Sequence, residues 1–126
     1  MNILIIEDEI LIQNSLVRYL QKSGHVATGS ASGQRAIELI LTQNYHKIFC
    51  DLMLQDVSGF DVLDTILMNL GANYIQNRFI IMTAYTSSQI LKKAEIYNCP
   101  IITKPFDSFK IILEQVNIFL DQEAQY

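Results

Sequence analysis

The polar residues of this sequence that could do chemistry each follow a short apolar run. Glu7 and Asp8 come after Ile3 to Ile6, Asp51 after Ile48 to Cys50, Thr83 after Phe79 to Met82, and Lys104 after Ile101 to Thr103. Three carboxylates brought within a few ångströms repel one another, and each resists ionising unless a cation compensates. An all-oxygen set of this kind suits magnesium, which keeps several waters and binds one or two carboxylates together with phosphate oxygens. A phosphate group then becomes an attractive ligand. The metal and Lys104 would neutralise it, Thr83 would donate a hydrogen bond to one of its oxygens, and the carboxylate of Asp51 would attack phosphorus to form an acyl phosphate. Taken singly, an acidic residue at a strand end is more often a solvated group or a helix cap, and Lys104 alone would be a surface lysine. Only the joint placement carries the inference.

That placement depends on the elements between the polar residues. The isoleucine-rich runs Ile3 to Ile6, Ile48 to Cys50, Phe79 to Met82 and Ile101-Ile102 have the continuous apolar character of strands buried on both faces, and His25 to Thr28 is a weaker fifth candidate. Between them the period lengthens to that of helices. Ile12, Leu16, Tyr19 and Leu20 share one face; Ala36, Ile37, Ile40 and Leu41 a second; Phe60, Leu63, Leu67 and Leu70 a third; Ile90, Leu91 and Ala94 a fourth. Phe109, Ile112, Leu113, Val116, Phe119 and Leu120 mark a fifth helix. Gly24, Gly29, Gly33, Gly59 and Gly71 fall near boundaries, Ser32 and Asp107 are candidate N-caps, and Pro100 and Pro105 bracket the last strand. Strand and helix in strict alternation, (βα) five times over, predict a parallel sheet with helices on both faces, a three-layer α/β/α fold. The carboxyl ends of parallel strands share one edge, where such folds bind ligands, so the polar residues converge on one crevice.

With 126 residues, half of them apolar, the chain is expected to be a single domain with its core in residues 2–120 and a polar tail at 121–126. The 9 basic against 13 acidic residues give a net charge of -4, and no Lys/Arg run offers the positive patch that direct DNA or RNA binding needs. The apolar runs are far shorter than the ~20 residues of a membrane span. Met1-Asn2 followed closely by acidic residues does not read as a secretory signal, so a cytoplasmic location is expected. Cys50 and Cys99 form no metal or redox motif and are read as free thiols. His25 and His46 lie near loops, lack triad partners and are read as structural or surface residues.

Four segments together resemble the receiver domains of two-component response regulators. They are Ile3-Leu-Ile-Ile-Glu7-Asp8-Glu9, the stretch from Asp51 through Gly59 to Leu63, Ile80-Ile-Met-Thr83-Ala84, and Thr103-Lys104-Pro105-Phe106. The resemblance spans Asn2 to about Leu120. It implies a flavodoxin-like sheet with strand order 2-1-3-4-5, and phosphorylation of Asp51 by a histidine kinase or a histidine phosphotransfer protein. By the same resemblance Glu7, Asp8, Asp51 and the backbone carbonyl of Met53 hold Mg2+, with Mn2+ able to substitute, while Lys104 contacts the phosphoryl group and Thr83 reports it. It further implies a cis Lys104-Pro105 bond, tuning of the acyl-phosphate lifetime by the Met53 side chain, and output to a downstream protein effector or a homodimer. Output is expected through the face made by the fourth and fifth predicted helices and the fifth strand. The chain would be a signalling phosphoacceptor, not an enzyme.

Several residues depart from the family pattern. Gln55 stands where proline is frequent, which predicts a more mobile loop. Ile101 replaces the usual aromatic residue of the fifth strand. Tyr97-Asn98, followed by Cys99-Pro100, replaces the usual Gly-Ala. Tyr85 could supply an aromatic group nearby, although an ordinary, partly exposed tyrosine is favoured. Ile111 and Ile118, seven apart, are either a small exposed apolar strip for self-association or a partner, or else two incidental surface isoleucines or part of a broader buried stripe. Three rivals stay open. A degenerate receiver would act by contact alone. A haloacid-dehalogenase-type phosphohydrolase is disfavoured by Met53 in its second acidic position. A flavodoxin-like or nucleotide-binding module is disfavoured by the absence of a Gly-rich loop after the first strand.

Overall fold

The computed structural model describes the backbone of residues 1–124 and side chains through residue 117. Its strands are β1 (Asn2–Ile6), β2 (Val26–Ser30), β3 (Lys47–Asp51), β4 (Phe79–Thr83) and β5 (Ile101–Thr103). They form one sheet in the order β2-β1-β3-β4-β5, and every pairing is parallel. The helices are α1 (Ile10–Lys22), α2 (Gly33–Thr42), α3 (Gly59–Leu70), α4 (Ala72–Arg78), α5 (Ser88–Glu95) and α6 (Lys110–Ala124).

The interiors of the central strands are apolar because both faces are covered, and their residues alternate between two cores, with polar residues only at the strand ends. Leu4, Ile6, Ile48, Cys50, Phe79 and Ile81 face a core completed by Ala36, Leu39 and Ile40 of α2, Phe60, Leu63 and Ile66 of α3, and Ala94 of α5. Ile3, Ile5, Phe49, Ile80, Met82 and Ile102 face the other, completed by Leu16 and Leu20 of α1 and by Ile112 and Val116 of α6. The three-layer architecture and the strand order agree with expectation.

Some stripes are rotated from their predicted faces. In α2 Leu39 is buried and Leu41 exposed; in α3 Val62 and Ile66 are buried while Leu67 and Leu70 are exposed. In α3 leucine spacing alone misses the shift because the true stripe mixes β-branched residues with leucine. The short helix α4 is not among the five that periodicity predicts. Ile75 is its one buried residue, so it offers no period to read. It docks through cations: Lys47 Nζ donates to the Asn77 carbonyl, Arg78 Nη1 donates to the Tyr45 carbonyl, and the Arg78 guanidinium lies over the Tyr74 ring.

Ser32 caps α2 as expected, accepting from the Arg35 amide. Near the start of α6 the Lys110 amide donates to the Ser108 hydroxyl, not to Asp107. Ile111 is half-buried and packs on the second core, which favours the broader buried stripe at that residue. The side chains from Ile118 onward, Phe119 and Leu120 included, lie outside the described residues, while the backbone of α6 continues through the first four residues of the expected polar tail to Ala124. Asn2 donates its amide to His46 Nδ1, and the N-terminal ammonium meets His25 Nδ1, so both histidines tie the start of β1 to its neighbours. Both cysteines are free. Among the described residues no helix is long and apolar enough to cross a membrane.

Candidate functional site

Parallel pairing brings the ends of β1, β3, β4 and β5 to one edge of the sheet. Asp51 pairs with Met82, and Thr83 pairs with Thr103, one residue before Lys104. Glu7 follows β1 directly, and its amide donates to the Ser30 carbonyl of β2. Carboxylate oxygens of Glu7, Asp8 and Asp51 lie within 4.8 Å of one another. Glu7, Asp51 and Thr83 are buried, whereas Asp8 is half-exposed at the rim.

The Lys104 ammonium bridges the two buried acids, 2.7 Å from Glu7 Oε1 and 2.8 Å from Asp51 Oδ2. The other Asp51 oxygen accepts from the Met53 amide at 3.1 Å. Burial disfavours the charged form of Glu7, and its hydrogen bond with Asp51 adds to that; together they outweigh Lys104 and raise the Glu7 pKa from 4.5 to about 7. For Lys104 burial acts downward, but the bonds to Asp51 and Glu7 exceed it, and the net shift is upward. One ammonium therefore leaves negative charge uncompensated among three acids. A hard dication fits that donor set.

The loops beside the strand ends are pinned. Ser58 opens α3 with a reciprocal capping box to Asp61, and the Gly59 amide donates to the Leu52 carbonyl at 2.8 Å. A Cβ on Gly59 would lie 2.2 Å from the Asp51 carbonyl oxygen, so only glycine lets α3 approach the end of β3 this closely. The residue after Gln55 ties this loop to α2. Asp56 accepts from the Ser32 hydroxyl and from the Gly33 and Gln34 amides at the start of α2. Those donors hold its carboxyl well below the usual carboxylate range.

Thr83 is engaged with the following loop. Its Oγ1 accepts from the Tyr85 amide at 2.9 Å and lies 3.1 Å from the Tyr85 carbonyl. The Tyr85 side chain is exposed, and so is that of Met53. Asp8, Asp51, Met53, Gln55, Tyr85 and Lys104 line an open cleft of about 290 Å³. Beside it runs a larger, mainly apolar groove of about 520 Å³ between α1 and the β5–α6 connection, lined by Leu11, Ile12, Pro105, Phe106 and Phe109. The Lys104-Pro105 bond is cis, as the resemblance implied.

Spacing does not reveal Tyr97. It is buried, its hydroxyl donates to Asp64 of α3 at 2.5 Å, and its ring stacks with Phe60, over which Lys93 Nζ sits at 4.2 Å. Tyrosine in place of a small residue before β5 is its sequence signal. Asn98 follows with φ of 56°, a backbone region asparagine tolerates better than most residues.

Comparison with known proteins agrees with this geometry. The family model described as response regulator receiver domain matches residues 3–116. The transcriptional regulatory protein CusR of Escherichia coli is 29% identical over 124 residues, covering 98% of this chain and 53% of CusR. A cyclic di-GMP phosphodiesterase of Thermotoga maritima is 29% identical over 93 residues, covering 74% of this chain and 24% of that protein. The chain thus spans about half or less of these relatives' lengths. A CheY-like receiver domain structure from Methanospirillum hungatei superposes with a TM-score of 0.85 at 19% identity, covering 99% of this chain and 98% of that one. Because the family match runs from β1 into α6 and takes in each strand end that meets at the acidic cleft, the chain belongs to the response regulator receiver domain family of two-component systems.

Proposed function

We propose that Asp51 accepts a phosphoryl group from a phosphohistidine of a histidine kinase or a histidine phosphotransfer protein. The observation that carries this is the Asp51 carboxylate itself, buried at the end of β3, held by Lys104 and Met53, and open to the acidic cleft. One Asp51 oxygen attacks phosphorus, the N–P bond of the donor breaks, and the imidazole leaves with its electron pair. Glu7, Asp8, Asp51 and the Met53 carbonyl are the residues that would hold Mg2+, with Mn2+ as a substitute. Such an ion offsets charge on the transferring phosphoryl oxygens. Lys104 supplies a second positive contact. The apolar groove beside the cleft suits a helix carrying the donor histidine, since its rim of Leu11, Pro105 and Phe106 adjoins Lys104.

A phosphoryl group adds about -1.5 to -2 charges and strong acceptors at Asp51. The Thr83 hydroxyl then has a better acceptor than the Tyr85 carbonyl, and turning towards it releases the β4–α5 loop. That exchange biases the packing of α5, β5 and α6, the face through which the domain would act on a protein effector or a second copy. The residues engage no nucleic acid or membrane directly on this reading, and the chain acts as one cytoplasmic signalling domain.

A second reading, a module that works by contact without phosphorylation, is favoured by Ile101 on β5 and by the Tyr97–Asp64 bond that fastens the α5–β5 connection to α3. Incubation with acetyl phosphate and Mg2+, followed by intact-mass measurement, separates the two. Phosphoryl acceptance gives a gain of ~80 Da that is lost in Asp51→Ala and without divalent metal. No gain under any condition would leave the contact module standing.

A further inference from the structure

Gln13 interrupts the buried face of α1, in line with Leu16 and Leu20. Its side-chain Nε2 donates to the Glu7 carbonyl at 2.8 Å, while its own backbone amide donates to the Glu9 carbonyl at 2.9 Å. The Glu7 carbonyl belongs to the peptide that joins Glu7 to Asp8. Because that peptide is a rigid plane, a hydrogen bond to its oxygen restrains the tilt of the unit that links the two acidic residues. On the other side of Glu7, the Ser30 carbonyl holds its amide at 3.0 Å.

Gln13 reaches this carbonyl across Gly29 of β2. A Cβ at residue 29 would lie 2.3 Å from Gln13 Oε1 and 2.6 Å from Cδ, so the missing side chain is what makes room. The two positions thus form a matched pair, a long amide lying over a bare backbone. Neither residue belongs to the acidic cluster.

We propose that Gln13, seated over Gly29, is a positioning residue for the divalent-cation site, fixing the Glu7–Asp8 peptide so that both carboxylates face Asp51. The proposal rests on the metal-binding role given above to those acids. Methionine at 13 keeps the volume but removes the donor, leaving a buried carbonyl unpaired and the peptide free to tilt. Alanine at 29 keeps the glutamine but displaces it. Both substitutions act on the same hydrogen bond from opposite sides.

Calorimetric titration of the full chain with Mg2+ alone, alongside thermal unfolding in EDTA, tests this role. Gln13→Met and Gly29→Ala should each bind Mg2+ about tenfold more weakly or worse, the range typical when a group that orients a metal ligand is lost. Leu20→Ala, a core substitution on the same helix with no polar link to the cleft, should lower the thermal midpoint and leave Mg2+ affinity unchanged. Should one variant fail to fold, the other gives the same readout. Unchanged affinity in a folded Gln13→Met or Gly29→Ala overturns the proposal alone. An affinity that falls in step with thermal midpoint across all three variants overturns it too, by reducing Gln13 to a packing residue. No Mg2+ uptake by the unsubstituted chain removes the metal role of the acids, and the proposal with it.

Discussion

Lys104 spans two buried carboxylates that would otherwise face each other, so it holds the cleft together before any ligand arrives. In EDTA at mildly alkaline pH, Lys104→Met should cost on the order of 2 kcal/mol in chemical denaturation, and added Mg2+ should restore part of the loss. An unchanged midpoint would mean that the carboxylates do not depend on this cation. Glu7 gives the same environment a pH signature. Its folded-state pKa of about 7 lies above the ordinary 4.5, so between those values the native state binds more protons than the unfolded one. The stability this group contributes is therefore full below pH 4.5 and is lost as pH rises towards 7. In metal-free protein the denaturation midpoint should fall across that window, and Glu7→Gln should flatten the slope; a slope unaffected by the substitution would contradict the assignment. At this scale the sequence is highly legible, because an acid or lysine directly after an apolar strand cannot hide. Gln13 and Tyr97 are harder to read. Their partners are a backbone carbonyl and a residue of α3, and no spacing along the chain discloses either.

Elements hold these residues through caps and close approaches more than through propensity. Gly59 lets the first turn of α3 press on the end of β3, and Gly59→Ala would force backbone to move against backbone. A loss of ~1–3 kcal/mol is expected from urea denaturation, in keeping with overpacking. Asp56 links the β3–α3 loop to the start of α2, and its depressed pKa means that the stability it adds is present above its unfolded value of 3.8 and is lost as pH falls below it. Asp56→Asn should therefore have a lower thermal midpoint than the unsubstituted chain at neutral pH, with the gap closing in acid. A gap constant with pH would rule out the charged cap. Strand identity and order are readable because both-face burial leaves continuous apolar runs. Helix faces are less so: Leu39 and Ile66, not Leu41 and Leu67, point inward, since α2 and α3 must meet the same sheet face and each other. The short α4 is held by Lys47 and Arg78 on carbonyl groups, a pattern with no apolar period.

At the level of the whole molecule, one sheet edge gathers the candidate site residues, and the β4–α5 loop whose Tyr85 backbone bonds Thr83 leads from β4, the neighbour of β5, into α5. Thr83→Ala should leave phosphoryl acceptance in place yet abolish any phosphorylation-dependent change in partner binding or self-association, measured by sedimentation with and without an acyl-phosphate mimic. Equal responses in both proteins would move the switch elsewhere. Which residue receives the phosphoryl group decides everything else, and reductive trapping reads that directly. After treatment with acetyl phosphate and Mg2+, borohydride converts an aspartyl phosphate to homoserine, a loss of about 14 Da relative to aspartate that peptide mass mapping assigns to one position. The conversion should occur at Asp51 and require the divalent ion; its appearance at Asp8 or Asp56 instead, or no conversion anywhere, would contradict the assignment.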